Sequence, residues 1–179
     1  MKTIAHWTTN HTNGCTAEFR DEDGNPVTIG DSTEMTIYMS DDIAPNLHVA
    51  ERKLNALGLT FGHRDGDDIE IVPLPAMTAL DGSEKQIAWA EEIRIRILDH
   101  IAKYFCLSSR FDEDLARYQR WIGWLRDAAS QHTDAAWWIN KRRGGLEPPA
   151  ACIIAKECIA AHPDMSASKR LRMLARLAR

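Results

Sequence analysis

Three sets of residues have types and spacings that invite chemistry. His6, His11 and Cys15 are zinc-ligand types separated by four and three residues. Cys106 with His100 or His132 would pair a thiol nucleophile with a base. The acidic runs Asp21-Glu22-Asp23, Asp41-Asp42 and Asp65-Gly66-Asp67-Asp68 offer oxygen ligands of the kind calcium and magnesium take. None of the three completes a pattern. The His-His-Cys spacing fits no common zinc framework and has no evident fourth ligand. The acidic runs do not follow the EF-hand spacing. A G-x-S-x-G elbow, a P-loop, a Rossmann glycine pattern and H-E-x-x-H are all missing. The expectation is a protein that is not an enzyme and needs no cofactor and no metal.

Charge is a stronger signal than catalysis. The formal net charge is −4 over 179 residues, but residues 1–75 hold 13 acids against 5 bases, while residues 76–179 hold 13 against 17. The last stretch, 141–179, carries 9 bases and 3 acids. Such asymmetry points to two modules and a charged partner for at least one of them. Candidate partner contacts follow. Asp21, Glu22, Asp23, Asp65, Asp67 and Asp68 sit in turns, where acids are solvated. Lys169, Arg172 and Arg176 fall within about 80° of one another on a helical wheel, opposite Leu171, Leu174, Ala175 and Ala178. Trp89 falls on the polar side of its helix, where an indole must pack on another element or serve as a contact point. On the same helix Glu91 and Arg94 lie inside the apolar arc, so they are expected to pair.

The elements that position these residues read as α+β. Residues 15–20, 26–30 and 34–39 read as strands, and Pro45 to Leu57 as a helix ended by Gly58. Residues 59–63 and 68–73 read as a hairpin through Asp65-Gly66-Asp67. The order β-β-β-α-β-β gives one sheet covered by one helix. Pro73 and Pro75 mark the exit, which predicts two domains: an acidic α+β unit over 1–75 and a helical bundle over 76–179. Bundle helices are expected over 84–106 with a Ser83/Gln86 capping box, over 112–130, from Thr133-Asp134 to Gly144-Gly145, from Pro149 to Pro163, and from Ser166 onward. Cys15, Cys106, Cys152 and Cys158 form no C-x-x-C pair and read as small buried hydrophobes. No apolar run reaches 18 residues and no signal segment opens the chain, so a cytoplasmic protein without a membrane partner is expected.

Two stretches carry a resemblance. The run Gly82-Ser83-Glu84-Lys85-Gln86-Ile87-Ala88-Trp89-Ala90-Glu91-Glu92-Ile93-Arg94, with Thr133-Asp134-Ala135-Ala136-Trp137-Trp138-Ile139-Asn140 downstream, resembles a helical module of proteins borne by plasmids, phages and integrated elements. The resemblance brings no catalytic residues. It implies mobile-element biology, in which small accessory proteins regulate DNA transactions or block host defences such as CRISPR–Cas. The resulting expectation is an anti-CRISPR protein, an inhibitor that binds a host defence complex by protein–protein interaction, with its acidic part competing for a basic nucleic-acid channel. The alternative is a DNA-binding regulator that uses the basic C-terminal helices.

Overall fold

The computed structural model describes residues 2–10, 14–38, 47–105, 111–143 and 147–178. The chain packs as two units, Met1–Pro75 with Ser108–Ala116, and Ala76–Leu107 with Arg117–Arg179. The fold class is α+β, with the strands early and most helices late.

The first unit is a five-stranded antiparallel sheet in the order β3-β2-β1-β5-β4. Its strands are β1 (Thr3–Asn10), β2 (Gly14–Arg20), β3 (Glu34–Tyr38), β4 (Leu59–Asp65) and β5 (Asp68–Pro73), and α1 (Leu47–Ala56) lies between β3 and β4 in sequence. Strand alternation separates the faces. Ala5 and Trp7, Ala17 and Phe19, Ile37, Phe61, and Ile69 and Ile71 are buried in one core with Leu47, Ala50 and Leu54 of α1. One buried charge fastens helix to sheet. Glu51 accepts the Phe61 N–H at 2.8 Å and the Asn55 amide at 3.3 Å, and also takes the Thr60 hydroxyl. A carboxylate in such a core is tolerable only with its oxygens satisfied in this way.

Two strands depart from the sequence expectation. Residues 26–30 do not form a strand; Pro26 and Ile29 make only isolated bridges to Arg20 and Ser32. Pro26 has no N–H to give a ladder, and Gly30 turns the chain at φ 64°. The missing place is taken by β1, the central strand, which the sequence reading passed over. Its alternation is carried by Ala5 and Trp7 among threonines and His6, a weak apolar signal for a strand paired on both sides.

The second unit is helical: α2 (Glu84–Ala102), the part of α3 (Phe111–Ala129) from Arg117 onward, α4 (Ala135–Lys141), α5 (Pro149–Ala161) and α6 (Lys169–Arg176). Its core gathers Ala90, Ile97, Ile101, Trp121, Leu125, Trp138, Ile154, Leu171 and Leu174, among others. The capping box is present as expected, with Ser83 Oγ accepting the Gln86 N–H and Gln86 Oε1 accepting the Ser83 N–H. Two ends differ. Helix α2 closes at Ala102, four residues before the expected 106, with turns at Tyr104 and Phe105. The last helix is delayed because Pro163–Ala167 forms a 3-10 turn, and Ser168 rather than Ser166 caps α6 by accepting the Leu171 N–H. The expected stop of α4 at Gly144-Gly145 lies outside the described residues.

Candidate functional site

The acidic turns are placed by the sheet register. Ile4 pairs with Arg20, so the Asp21–Asn25 turn lies at the N-terminal end of β1. His6 pairs with Asp68, and the Trp7 N–H reaches the Asp67 carbonyl at 2.9 Å, so the Asp65–Asp68 turn lies further along that strand. The two triplets therefore sit toward opposite ends of the sheet and do not merge into one acidic patch. Nor are all six acids simply solvated, as the sequence reading held. Asp21 closes its own turn, accepting the N–H groups of Asp23 at 2.9 Å and Asn25 at 2.8 Å. The Asn25 side-chain amide, followed by the Asn25 backbone N–H, holds the Asp21 carboxyl below its ordinary value. Asp68 Oδ1 lies 2.6 Å from His6 Nδ1. Glu22, Asp23, Asp65 and Asp67 are exposed.

The same register settles the zinc expectation for two of its residues. His6 lies on the open face with Asp68, while Cys15 is buried in the core on the other face. His11 lies outside the described residues, as does Cys106. Among the described residues no group of three or more His, Cys, Asp and Glu side chains is arranged to hold a metal ion. Of the two histidines considered as bases, His100 Nε2 is 2.6 Å from Glu147 Oε2, and His132 Nε2 is 2.9 Å from Glu157 Oε2 while its ring stacks on Trp137. Burial alone would raise the Glu147 carboxyl, but the hydrogen bonds from Tyr104 and His100 outweigh it and hold that carboxyl below its ordinary value. Burial pushes the Cys158 thiol up to about 12, which leaves it an inert hydrophobe. Cys15 and Cys152 are likewise buried.

The two quoted motifs form one packing unit. The Asp81 N–H donates to the Thr133 carbonyl at 2.7 Å, and the Ala135 N–H donates to the Asp81 carbonyl at 2.9 Å. Gly82 sits at φ 153°, and a Cβ built there would come within 3.1 Å of the Ala135 Cβ. Asp134 caps α4 through the Ala136 N–H, and the buried Trp138 indole donates to the His132 carbonyl at 2.7 Å. Glu91 and Arg94 pair as expected: Arg94 Nη2 lies 2.7 Å from both Glu91 oxygens, and Nη1 donates to the Thr78 carbonyl. Most of the motif is thus fold-determining. Trp89 is the large apolar side chain it leaves outside, 45% exposed with the Arg142 guanidinium 4.7 Å from its ring centre. One face of that indole packs on a cation and the rest is open.

The basic stripe is the most complete surface. Leu171 and Leu174 anchor α6 in the core, leaving Lys169, Arg170, Arg172 and Arg176 exposed. No ion pair forms on these four cations among the described residues. Met173 and Leu177 stand among them, 59% and 51% exposed. Arg172 and Arg176 join Lys156 of α5 around a shallow groove of about 380 Å³ whose floor is Ile159, Ala160, Ala175 and Ala178. The sequence reading missed Lys156. Its spacing to Ile159 and Ala160 places all three on one side of α5, but nothing local says that α6 lies beside them.

No helix among the described residues is long and apolar enough to cross a membrane. Compared with family models, curated proteins and solved structures, the chain matches none of them.

Proposed function

We propose that this chain is a non-enzymatic accessory protein of a mobile element that binds and inhibits a CRISPR–Cas nucleic-acid-processing complex, holding an acidic protein surface of that complex on the α5–α6 face. The mobile-element part rests on the resemblance of the two motifs. The surface rests on one observation: Lys156, Arg172 and Arg176, which form no ion pair among the described residues, line a groove with Ile159, Ala160, Ala175 and Ala178, and Met173 and Leu177 are exposed alongside. Protein contacts need both components, since apolar anchors hold a complex while charges orient it and speed encounter. The two acidic turns serve this reading less well, because they lie apart and two of their six carboxylates have partners.

A second reading keeps one observation in its favour. Lys169, Arg172 and Arg176 also suit nucleic-acid phosphates, which would make the chain a DNA-binding regulator. A pull-down with a purified CRISPR effector complex, run beside a mobility shift on random duplex DNA, separates the two. The inhibitor reading expects capture of the complex and no shift of bare DNA. Tight, salt-sensitive binding of DNA by the free protein, without capture of the complex, would overturn it.

A further inference from the structure

The outer side of α2 carries a row of cations with one aromatic ring among them. At 100° per residue Lys85, Trp89, Arg96 and Lys103 fall within about 40° of one another and span about 27 Å along the axis. All four are exposed. Helix α4 packs beside α2 and brings Lys141, Arg142 and Arg143 at its C-terminal end. Arg142 is fixed there, donating to the Ile139 carbonyl while its guanidinium lies over the Trp89 ring. The carboxylates on this side are Glu92, 2.8 Å from Arg96, Asp99, 2.7 Å from Lys103, and the exposed Glu84. Lys85, Lys141 and Arg143 form no ion pair among the described residues, so the face stays basic around the ring. Two features decide what fits it. The exposed neighbours of Trp89 one turn away, Lys85, Gln86 and Glu92, are polar, so the ring lacks the apolar surround that a protein anchor needs. Helix α6 differs, since Met173 and Leu177 accompany its cations. A nucleic-acid base asks less: an open π-face to stack on and cations to take the flanking phosphates.

We propose that the α2–α4 face binds single-stranded nucleic acid, with one base stacked on the open face of Trp89 and the backbone following Lys85, Lys141 and Arg143. Arg142, already stacked on the other face, holds the ring and adds its charge. In a duplex each base is covered by its neighbours, so only an unpaired strand offers a base to the ring. The site lies apart from the α5–α6 groove in the residues it uses and stands whether or not that groove holds a protein. Glu84 works against the phosphates, so its removal tightens binding.

The test is fluorescence anisotropy of labelled oligo-dT and oligo-U of about 12 nucleotides, and of a duplex of the same length, titrated with the full chain over a range of salt. The expected result is saturable binding of a single strand, at least tenfold weaker for the duplex. Trp89→Leu should weaken it about tenfold or more, while Trp89→Phe, which keeps a π-face, retains most of it. Lys85→Gln with Arg143→Gln should flatten the salt slope by about 1.4, the loss of two phosphate contacts on a single strand. Preference for oligo-U over oligo-dT, or the reverse, supports the site and assigns the strand. Equal binding of duplex and single strand, or Trp89→Leu binding as wild type, would overturn the proposal. So would loss of strand binding only when Lys169, Arg172 and Arg176 are reversed, which would move the site to α6. No strand binding at about 100 μM protein, with Trp89→Leu losing capture of a CRISPR effector complex, would make the ring a protein anchor and overturn it too. Matched melting curves verify folding, and should Trp89→Leu fail to fold, the duplex comparison and the Lys85/Arg143 pair carry the same decision.

Discussion

Glu51 shows how much one side chain settles. It is buried in an apolar core, yet it accepts donors from Asn55, Thr60 and Phe61 and so ties α1 to β4. Replacing it with glutamine puts an N–H₂ group where only acceptors are wanted. Glu51→Gln is therefore expected to lower stability by about 1–3 kcal/mol, read from the shift in urea midpoint at unchanged slope. Glu147 gives a pH signature. Its folded carboxyl titrates below the ordinary 4.5, because the Tyr104 and His100 bonds outweigh the opposing effect of burial. A carboxyl with a depressed folded value contributes stability that is fully present above its unfolded value. That contribution is lost as pH falls through the folded one. Melting temperature in Glu147→Gln should thus fall less steeply than in the wild type as pH drops below about 4.5. The Glu91–Arg94 pair was legible from the helical wheel alone, because an unpartnered charge inside an apolar arc is untenable. The Trp121 N–H, buried without a hydrogen-bond partner among the described residues, was not, since its surroundings come from side chains far away in sequence.

At the scale of elements, local rules were read well and long-range ones were not. The Ser83/Gln86 box and the Asp65–Asp68 hairpin follow from spacing within a few residues, whereas the faces of α6 are less separate than spacing suggests: Ala175 and Ala178 line a groove with Arg172 and Arg176, and Met173 and Leu177 are exposed. The central strand β1 was missed because its core face is carried by Ala5 and Trp7 between threonines, and pairing to both β2 and β5 supplies what its own pattern lacks. The clip between Asp81–Gly82 and Thr133–Ala135 is also tertiary, although both stretches stood out in the sequence. It makes a sharp prediction. Gly82→Ala would place a Cβ at a φ of 153° and 3.1 Å from the Ala135 Cβ. With strain of about 1–3 kcal/mol at such a position, the variant should melt several degrees lower, by calorimetry, while its far-UV circular dichroism at 25 °C stays helical. An unchanged melting temperature would mean that the clip does not hold the unit together.

For the whole molecule, the charge asymmetry read from composition proved informative only after the register was known. The acidic first part places its two turn triplets toward opposite ends of one sheet, whereas the basic end gathers Lys156, Arg172 and Arg176 around one groove. Composition reports how much charge a segment has, and only tertiary packing reports whether it converges. Residues 76–179 contain the helical core, so that fragment expressed alone should show helical far-UV circular dichroism and a cooperative melt. A featureless, unfolded spectrum would show that the helices depend on the preceding residues.

The central claim is that the α5–α6 face makes the partner contact. The direct measurement is binding of the intact chain to a purified CRISPR effector complex, comparing the wild type with two charge reversals. In one, Lys169, Arg172 and Arg176 become Glu; in the other, Glu22, Asp23, Asp65 and Asp67 become Lys. All seven native groups are exposed, and surface changes of this kind usually move stability by less than about 0.5 kcal/mol each, so matched melting curves verify folding in both. The account predicts that the first reversal abolishes binding and that the second leaves the dissociation rate unchanged. Loss of binding in the second reversal, with the first behaving as wild type, would contradict it and return the contact to the acidic turns.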